Sequence, residues 1–316
     1  MKTILLTSIG SATAVNLLKL LKNKYHIIAT DIYPLGYTAG GMLADEFIQV
    51  PLYSMENYLG AICRIVKEKQ VDLLIPVHDY EVQKIAIEKE IINTKVLVAP
   101  LDAIYGLVDK WISTKHIADI GGVTARIIYS DTSLDGVEKV IRREKQGVGS
   151  KGINIYDTHC IPNGIIKESY EKENYFIQEY IDGEEYTVDI ASNKAGEPFL
   201  IIPRCRREVK AGVATKVEIV YDEKLIDCVR KIATYYHIPA FSNMQFIKKD
   251  GLYYFVEYNY RYGGMSIASA LSSYNYVEAV VDNILEDKPL PSGINQFPIK
   301  WGAIVTRYYE EMIYEA

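Results

Sequence analysis

The first third of the chain alternates short apolar runs with amphipathic stretches, and the remainder follows a different rhythm. Residues 3–7, 26–30, 47–50, 71–76 and 96–99 are short aliphatic runs, the pattern of strands buried on both faces. Between them, residues 12–21 place Val15, Leu17, Leu18 and Leu21 on one helical stripe, and residues 56–69 do the same with Tyr58, Ile62, Ile65 and Val66. A further helix opens at His78-Asp79-Tyr80-Glu81 and runs through Lys89. Strands alternating with helices across short loops predict a parallel sheet covered on both faces. Ligands of such sheets sit beyond the C-terminal ends of the strands, which groups Ser8, Gly10, Asp31 and the loop from His78 to Glu81 on one rim. There His78 or Glu81 either touches substrate or simply caps a helix.

A helix over 111–120, closed by Gly121-Gly122, ends this regime. Strands are then predicted at 126–129, 137–143, 153–156, 175–180, 185–191 and 199–203, an amphipathic helix at 222–236, helices at 267–271 and 276–285, and a closing strand at 301–307. On 185–191 the alternation puts Glu185, Thr187 and Asp189 on one face and Tyr186, Val188 and Ile190 on the other. The clearest local signal is a hairpin. One strand ends near Lys248, Lys249-Asp250-Gly251 makes the turn, and a second strand spans 252–258, because Asp-Gly between apolar runs suits the positive φ of a tight turn.

Composition narrows the field. The chain has 316 residues, a formal net charge of −6 and 49% hydrophobic residues, an ordinary soluble enzyme profile without the basic excess of a nucleic-acid binder. The four cysteines lie scattered without a CxxC pair, which argues against a disulfide framework or a zinc site and fits a reducing cytoplasm. No apolar run is long enough to span a membrane. The opening residues are broken by Thr7, Ser8 and Ser11 and read as strand, turn and helix rather than as a signal peptide.

Three stretches carry candidate chemistry. On the second hairpin strand Glu257, Asn259 and Arg261 recur at every second residue and point one way, with Gln245 of the first strand in reach. A carboxylate, two amides and a guanidinium make a poor core and a good seat for a hard cation and its phosphates. The glycine-rich turn at 147–152 sits among Arg142, Arg143, Lys145 and Lys151, and is either a plain hairpin or a flap whose amides close over phosphates. Arg204, Arg206, Arg207 and Lys210 cluster in an acidic protein, which suggests an anion site, the alternative being a charged strand edge. The first turn lacks a full GxGxxG, so Asp31 reads as a ribose ligand or equally as a polar strand end.

Taken in order, these blocks resemble the ATP-grasp superfamily, especially the stand-alone branch similar to the large subunit of carbamoyl-phosphate synthase. The resemblance rests on Asp109-Lys110, VIRREKQGVGSKGI at 140–153, FIQEYIDGEEYTVDI at 176–190, RCRREVKAGVATK at 204–216, NMQF at 243–246, VEYNYRYGGM at 256–265 and the late strand ending at Arg307. It implies an α/β and α+β architecture: an N-terminal parallel-sheet (pre-ATP-grasp) domain over 1–105, a small lid subdomain over 106–182 and a catalytic subdomain over 183–316, the last two clasping the nucleotide. It further implies that Lys110 and Arg142 bind the phosphates of ATP and that Gly149 and Ser150 lie in the flap. Gln178, Glu179, Tyr180 and Ile181 would form the adenine hinge, Glu185 would bind the ribose, and Gln245, Glu257 and Asn259 would hold Mg2+, with Mn2+ as a substitute. Arg261 would face the transferred phosphate. Arg143 and Tyr260 stand where relatives usually carry proline, and glutamine in the first metal position leaves a single ligand carboxylate. Arg204, Arg206 and Lys210 are the candidates for holding the acid substrate, with Glu81 on the rim.

The implied activity is MgATP-dependent ligation of a small-molecule carboxylate to an amine through an acyl phosphate. The alternatives are phosphorylation of bicarbonate, or a regulatory nucleotide-binding module without turnover. No nucleic acid or membrane partner is expected, and a homodimer is the default assembly.

Overall fold

Short aliphatic strands that bury both faces need helices on each side, and the N-terminal segment supplies them. In the computed structural model, which describes residues 1–147, 152–171 and 174–315, the strands β1 (Thr3–Leu6), β2 (His26–Asp31), β3 (Glu46–Gln49), β4 (Leu73–Ile75) and β5 (Lys95–Val96) form a parallel sheet in the order β3-β2-β1-β4-β5. The intervening helices are α1 (Ala12–Leu21), the short α2 (Ala39–Leu43), α3 (Tyr58–Glu68) and α4 (Asp79–Ile87). The order turns back between β1 and β4, so the loops after these two strands diverge and leave a crevice. α5 (Leu101–Val108) and α6 (Lys110–Asp119) lead out of this sheet. Asp109 caps α6 by accepting from the Trp111 and Ile112 amides, which leaves the Lys110 side chain free to point elsewhere.

A small antiparallel sheet follows, β7-β6-β8, from β6 (Lys139–Glu144), β7 (Asn154–Asp157) and β8 (Tyr175–Glu179), backed by α7 (Ile165–Glu171). Its own small core joins Val140, Ile166 and Ile177. The strand expected at 126–129 does not form; the segment makes only isolated bridges, Thr124 to Phe255 and Ile127 to Gln178.

The largest sheet has six strands in the order β13-β12-β9-β10-β11-β14. They are β9 (Glu184–Ser192), β10 (Pro198–Lys210), β11 (Val213–Ile219), β12 (Ala240–Lys249), β13 (Leu252–Asn259) and β14 (Ile304–Thr306). β10 runs well past the apolar stretch at 199–203 and carries the whole basic segment, which β11, unread in the sequence, pairs across an irregular register. One sheet face packs on α8 (Glu223–Tyr236) through Tyr186, Val188 and Ile190. At its far end the opposite face joins α1, α9 (Ile267–Ser272) and α10 (Tyr276–Glu286) in one shared core with the N-terminal sheet. The hairpin is as expected, with Asp250 at φ 49° and Gly251 at φ 77°.

Candidate functional site

Cross-strand pairing in the six-stranded sheet builds the floor of a cleft row by row. Arg204, Thr187, Gln245 and Glu257 are successive partners across β10, β9, β12 and β13. Asp189, Asn243 and Asn259 are partners in the next row along the strands, and Arg206 and Glu185 lie in the row on the other side. Because side chains alternate, these polar residues share one face while Val188, Met244 and Tyr258 are buried behind them. A cavity of about 300 Å³ lies over this floor. Lys110, Arg143, Arg204, Arg206 and Arg261 bring cations to it, and Asp79, Glu144 and Glu257 bring carboxylates.

The cations fall into two groups. Arg261 is held by Asp79 of α4 through a two-bond fork, Nε to Oδ1 and Nη2 to Oδ2, both 2.7 Å. Arg204 is held the same way by Asp189 at 2.6 and 2.8 Å, and both partners are buried. Lys110 and Arg143 have no ion-pair partner among the described residues. Lys110 Nζ donates to the Gly147 carbonyl at 2.6 Å, and Arg143 Nη2 donates to the Val256 carbonyl at 2.9 Å. Burial pulls the pKa of both below their ordinary values, and for both the nearby Glu257 pulls the other way. Cations drawn out of water with only a carbonyl as polar partner are costly until an anion arrives.

Glu257 is the one carboxylate among the expected metal ligands. Its Oε1 accepts from Asn259 Nδ2 at 2.9 Å, and the same amide reaches Asn243 Oδ1 at 3.3 Å, which leaves the Asn259 oxygen free. Gln245 pairs directly with Glu257 across the strands. One carboxylate with two amide oxygens is a hard-donor set that fits Mg2+ or Mn2+ shared with a phosphate rather than held alone. No group of three or more His, Cys, Asp or Glu side chains suited to a metal occurs among the described residues.

The placement of the other expected residues differs in several respects. Arg142 turns away from the cleft. It shares a face of β6 with Val140, its Nε donates to Ser169 of α7 at 2.9 Å, and its guanidinium stacks on Tyr175 at 3.7 Å. The cleft arginine of this strand is Arg143, one residue on, because alternation sends neighbours to opposite faces. Lys210 is exposed at the end of β10, 3.9 Å from Glu208, and does not line the cavity. Glu81 is buried in a structural knot, accepting from Thr7 and Ser8 at 2.6 Å and from Tyr58 at 2.9 Å, so its oxygens are taken. Gln178, Glu179, Tyr180 and Ile181 do not line the cavity. Within that segment the Glu179 and Tyr180 amides are engaged by the Arg126 and Lys139 carbonyls. Glu185 is half exposed and pairs with Arg206 at 2.8 Å. Gly149 and Ser150 fall outside the described residues.

Asp79, Asn243 and Thr187 were not read from sequence as site residues. Asp79 sits in the rim loop at 78–81, and only the docking of that loop on the hairpin reveals its partner. Tyr260 also has a place: it is buried and its hydroxyl accepts from Gln83 Nε2 at 3.1 Å, tying the hairpin to α4.

Comparison with known proteins agrees with this architecture. Residues 171–302 match the family model described as ATP-grasp in the biosynthetic pathway with Ter operon, and residues 4–98 match that of the PylC-like N-terminal domain. No curated protein sequence matches the chain. Among solved structures, the biotin carboxylase domain of the Hydrogenobacter thermophilus 2-oxoglutarate carboxylase, in complex with MgADP, ADP and bicarbonate, superposes with a TM-score of 0.74 at 15% identity, over 94% of this chain and 72% of that one. N5-carboxyaminoimidazole synthetase from Staphylococcus aureus, complexed with ADP, gives 0.71 at 13% identity, over 96% and 81%. The L-amino acid ligase of Bacillus licheniformis gives 0.69 at 13% identity, over 90% and 74%. At such identities the likeness is one of fold.

Proposed function

We infer that this chain, a member of the ATP-grasp superfamily, is an MgATP-dependent ligase that activates a small-molecule carboxylate as an acyl phosphate and joins it to an amine. The observation that carries this reading is the pair of cations, buried Arg143 and part-buried Lys110, facing the oxygen donors Glu257, Gln245 and Asn259 across one cavity. A polyanion sharing a hard cation satisfies both sides at once. The nucleotide complexes among the solved structures of the same fold support the choice of polyanion.

The chemistry needs no covalent residue. A carboxylate oxygen of the acid attacks the γ-phosphorus, the bond to ADP breaks, and an acyl phosphate forms. The amine nitrogen then attacks the acyl carbon, the C–O bond to phosphate breaks, and the amine loses its proton. Lys110 and Arg143 hold the phosphates, and Arg261, fixed by Asp79, presents its guanidinium where charge passes between oxygens. Glu257, Gln245 and Asn259 would hold the metal, which supplies neutralisation of phosphate charge when bound. The site assembles from the N-terminal sheet, the small sheet and the six-stranded sheet together, which favours exclusion of water from the acyl phosphate.

The test is ADP release from MgATP against a panel of acids crossed with a panel of amines. An acid- and amine-dependent release of ADP, abolished in Glu257→Ala, is expected. Normal MgATP binding with no ADP release from any combination overturns the ligase reading in favour of a regulatory nucleotide module. Release requiring only bicarbonate and ammonia replaces it with carbamoyl-phosphate-type chemistry.

A further inference from the structure

The basic segment of β10 splits into residues that serve different ends of the cavity. Arg206 leans back to Glu185 at 2.8 Å and to Gln245 at 3.3 Å, and its Nη2 donates to the Gly212 carbonyl. Arg207 lies on the other sheet face and pairs with Glu184 and Glu218. Arg204 leans the opposite way, to Asp189, which shares a row with Asn243 and Asn259 and lies two strands from Asn259.

Asp189 is itself saturated. Besides the two bonds from Arg204 it accepts from the hydroxyls of Ser266 and Ser269, each at 2.5 Å. Both serines come from the turn and first helix after the hairpin, close to Gly263 and Gly264, which line the cavity. Four donors on one buried carboxylate leave it no freedom to rotate, and the guanidinium it grips is fixed with it. Arg204 is 1% exposed and lines the cavity, yet its Nη1 has no hydrogen-bond partner among the described residues. An orphaned N–H on a buried guanidinium carries the full cost of its lost hydration. A purely structural ion pair needs only the fork to Asp189, so the third nitrogen is the feature that a structural role leaves unexplained.

We propose that Arg204 is a preorganised receptor for a carboxylate of the ligase's organic substrate, with Asp189, Ser266 and Ser269 as its positioning residues. The proposal rests on the ligase reading above and names what that cavity takes besides nucleotide. Each step between paired strands is about 4.8 Å, so the Arg204 backbone lies roughly 10 Å from that of Gln245 and about 14 Å from that of Glu257. A carboxylate on Arg204 Nη1 is therefore on the β10 side of the floor, two to three strands away from the expected metal ligands and not among them. The group held there is a carboxylate of a small acid or amino acid lying between Arg204 and the Gly263-Gly264 wall. The fork uses Nε and one Nη2 hydrogen, so the partnerless Nη1 is the nitrogen left for a ligand oxygen.

The probes are acetate, succinate and L-alanine, titrated into the full chain loaded with Mg2+ and the β,γ-imido analogue of ATP, with binding read by thermal shift and calorimetry. At least one probe should bind the wild-type protein. Arg204→Lys keeps the charge opposite Asp189 but supplies no third nitrogen, and should weaken that carboxylate at least ten-fold while nucleotide affinity stays within two-fold. Should Arg204→Lys fold poorly, Arg204→Met combined with Asp189→Leu removes the receptor as an apolar pair, and the same split is expected. Equal carboxylate affinity in the variants, or no carboxylate binding to nucleotide-loaded wild type, overturns the receptor. Failure of the wild type to bind the nucleotide analogue strikes the ligase reading instead, and titration without nucleotide then decides the receptor alone.

Discussion

The paired arginines of the cleft and its unpaired cations have the same charge and opposite uses. Arg204 and Arg261 are each clamped by a carboxylate fork, Asp189 for one and Asp79 for the other. Among the described residues, Lys110 and Arg143 have only backbone carbonyls as polar partners. A clamped guanidinium has settled its electrostatics within the fold, so it gives shape and direction. An unclamped buried cation stores an unmet demand, which favours whatever polyanion enters.

Replacing Arg261 tests the clamped side most severely. Arg261→Ala should lower the turnover number for ADP release by about 10²–10³-fold, with nucleotide affinity much less affected, because the lost donor acts mainly on developing charge. Asp79→Asn should show a smaller loss of the same kind, since the guanidinium stays but loses its anchor. A fall in nucleotide affinity with turnover unchanged would move Arg261 into the unclamped class.

Arg143 and Arg142 provide the next contrast. Arg143→Ala should weaken binding of the β,γ-imido analogue about 10–100-fold, roughly the 1.4–2.8 kcal/mol of a charge-assisted contact. Arg142→Ala should leave that affinity within two-fold, since its side chain is spent on Ser169 and Tyr175. The reverse result would restore Arg142 as the phosphate ligand.

Lys110 gives the smallest and most diagnostic effect. Burial lowers its pKa from the ordinary 10.5. Phosphate binding needs the protonated form, so nucleotide affinity should fall as pH rises through that lowered pKa, earlier than an exposed lysine allows. The unliganded fold should respond in the opposite sense. The unfolded chain holds the proton up to the ordinary value, so stability contributed by this group rises with pH between the lowered pKa and 10.5. Denaturation and binding titrations across that range read the two slopes, and Lys110→Arg should flatten both.

How much of this was legible beforehand depended on the distance over which the information acts. The Asp250-Gly251 hairpin and the α1 stripe follow from local periodicity and turn chemistry and appear nearly residue for residue, and the parallel pairing of the first strands follows from their alternation with helices. Glu257, Asn259 and Gln245 were legible because one hairpin holds all three. Arg142 was misplaced by one position because VIRRE offers an apolar residue and an arginine to each face. β11 and the length of β10 escaped because charged strand residues look like loop when their pairing partner is unknown.

The sequence by itself determined which residues share a strand face, where the hairpin turns and which oxygen donors cluster, since neighbours along the chain impose these through φ, ψ and the two-residue repeat. Tertiary structure decided which cations are satisfied. Asp79 reaches Arg261 across 182 residues of chain, and Asp189 is completed by serines 77 and 80 residues away. Nothing local encodes those meetings. They depend on the docking of α4 and α9 against the six-stranded sheet, and that docking is what separates the arginines clamped in one direction by a carboxylate from the cations left, among the described residues, without a counter-charge.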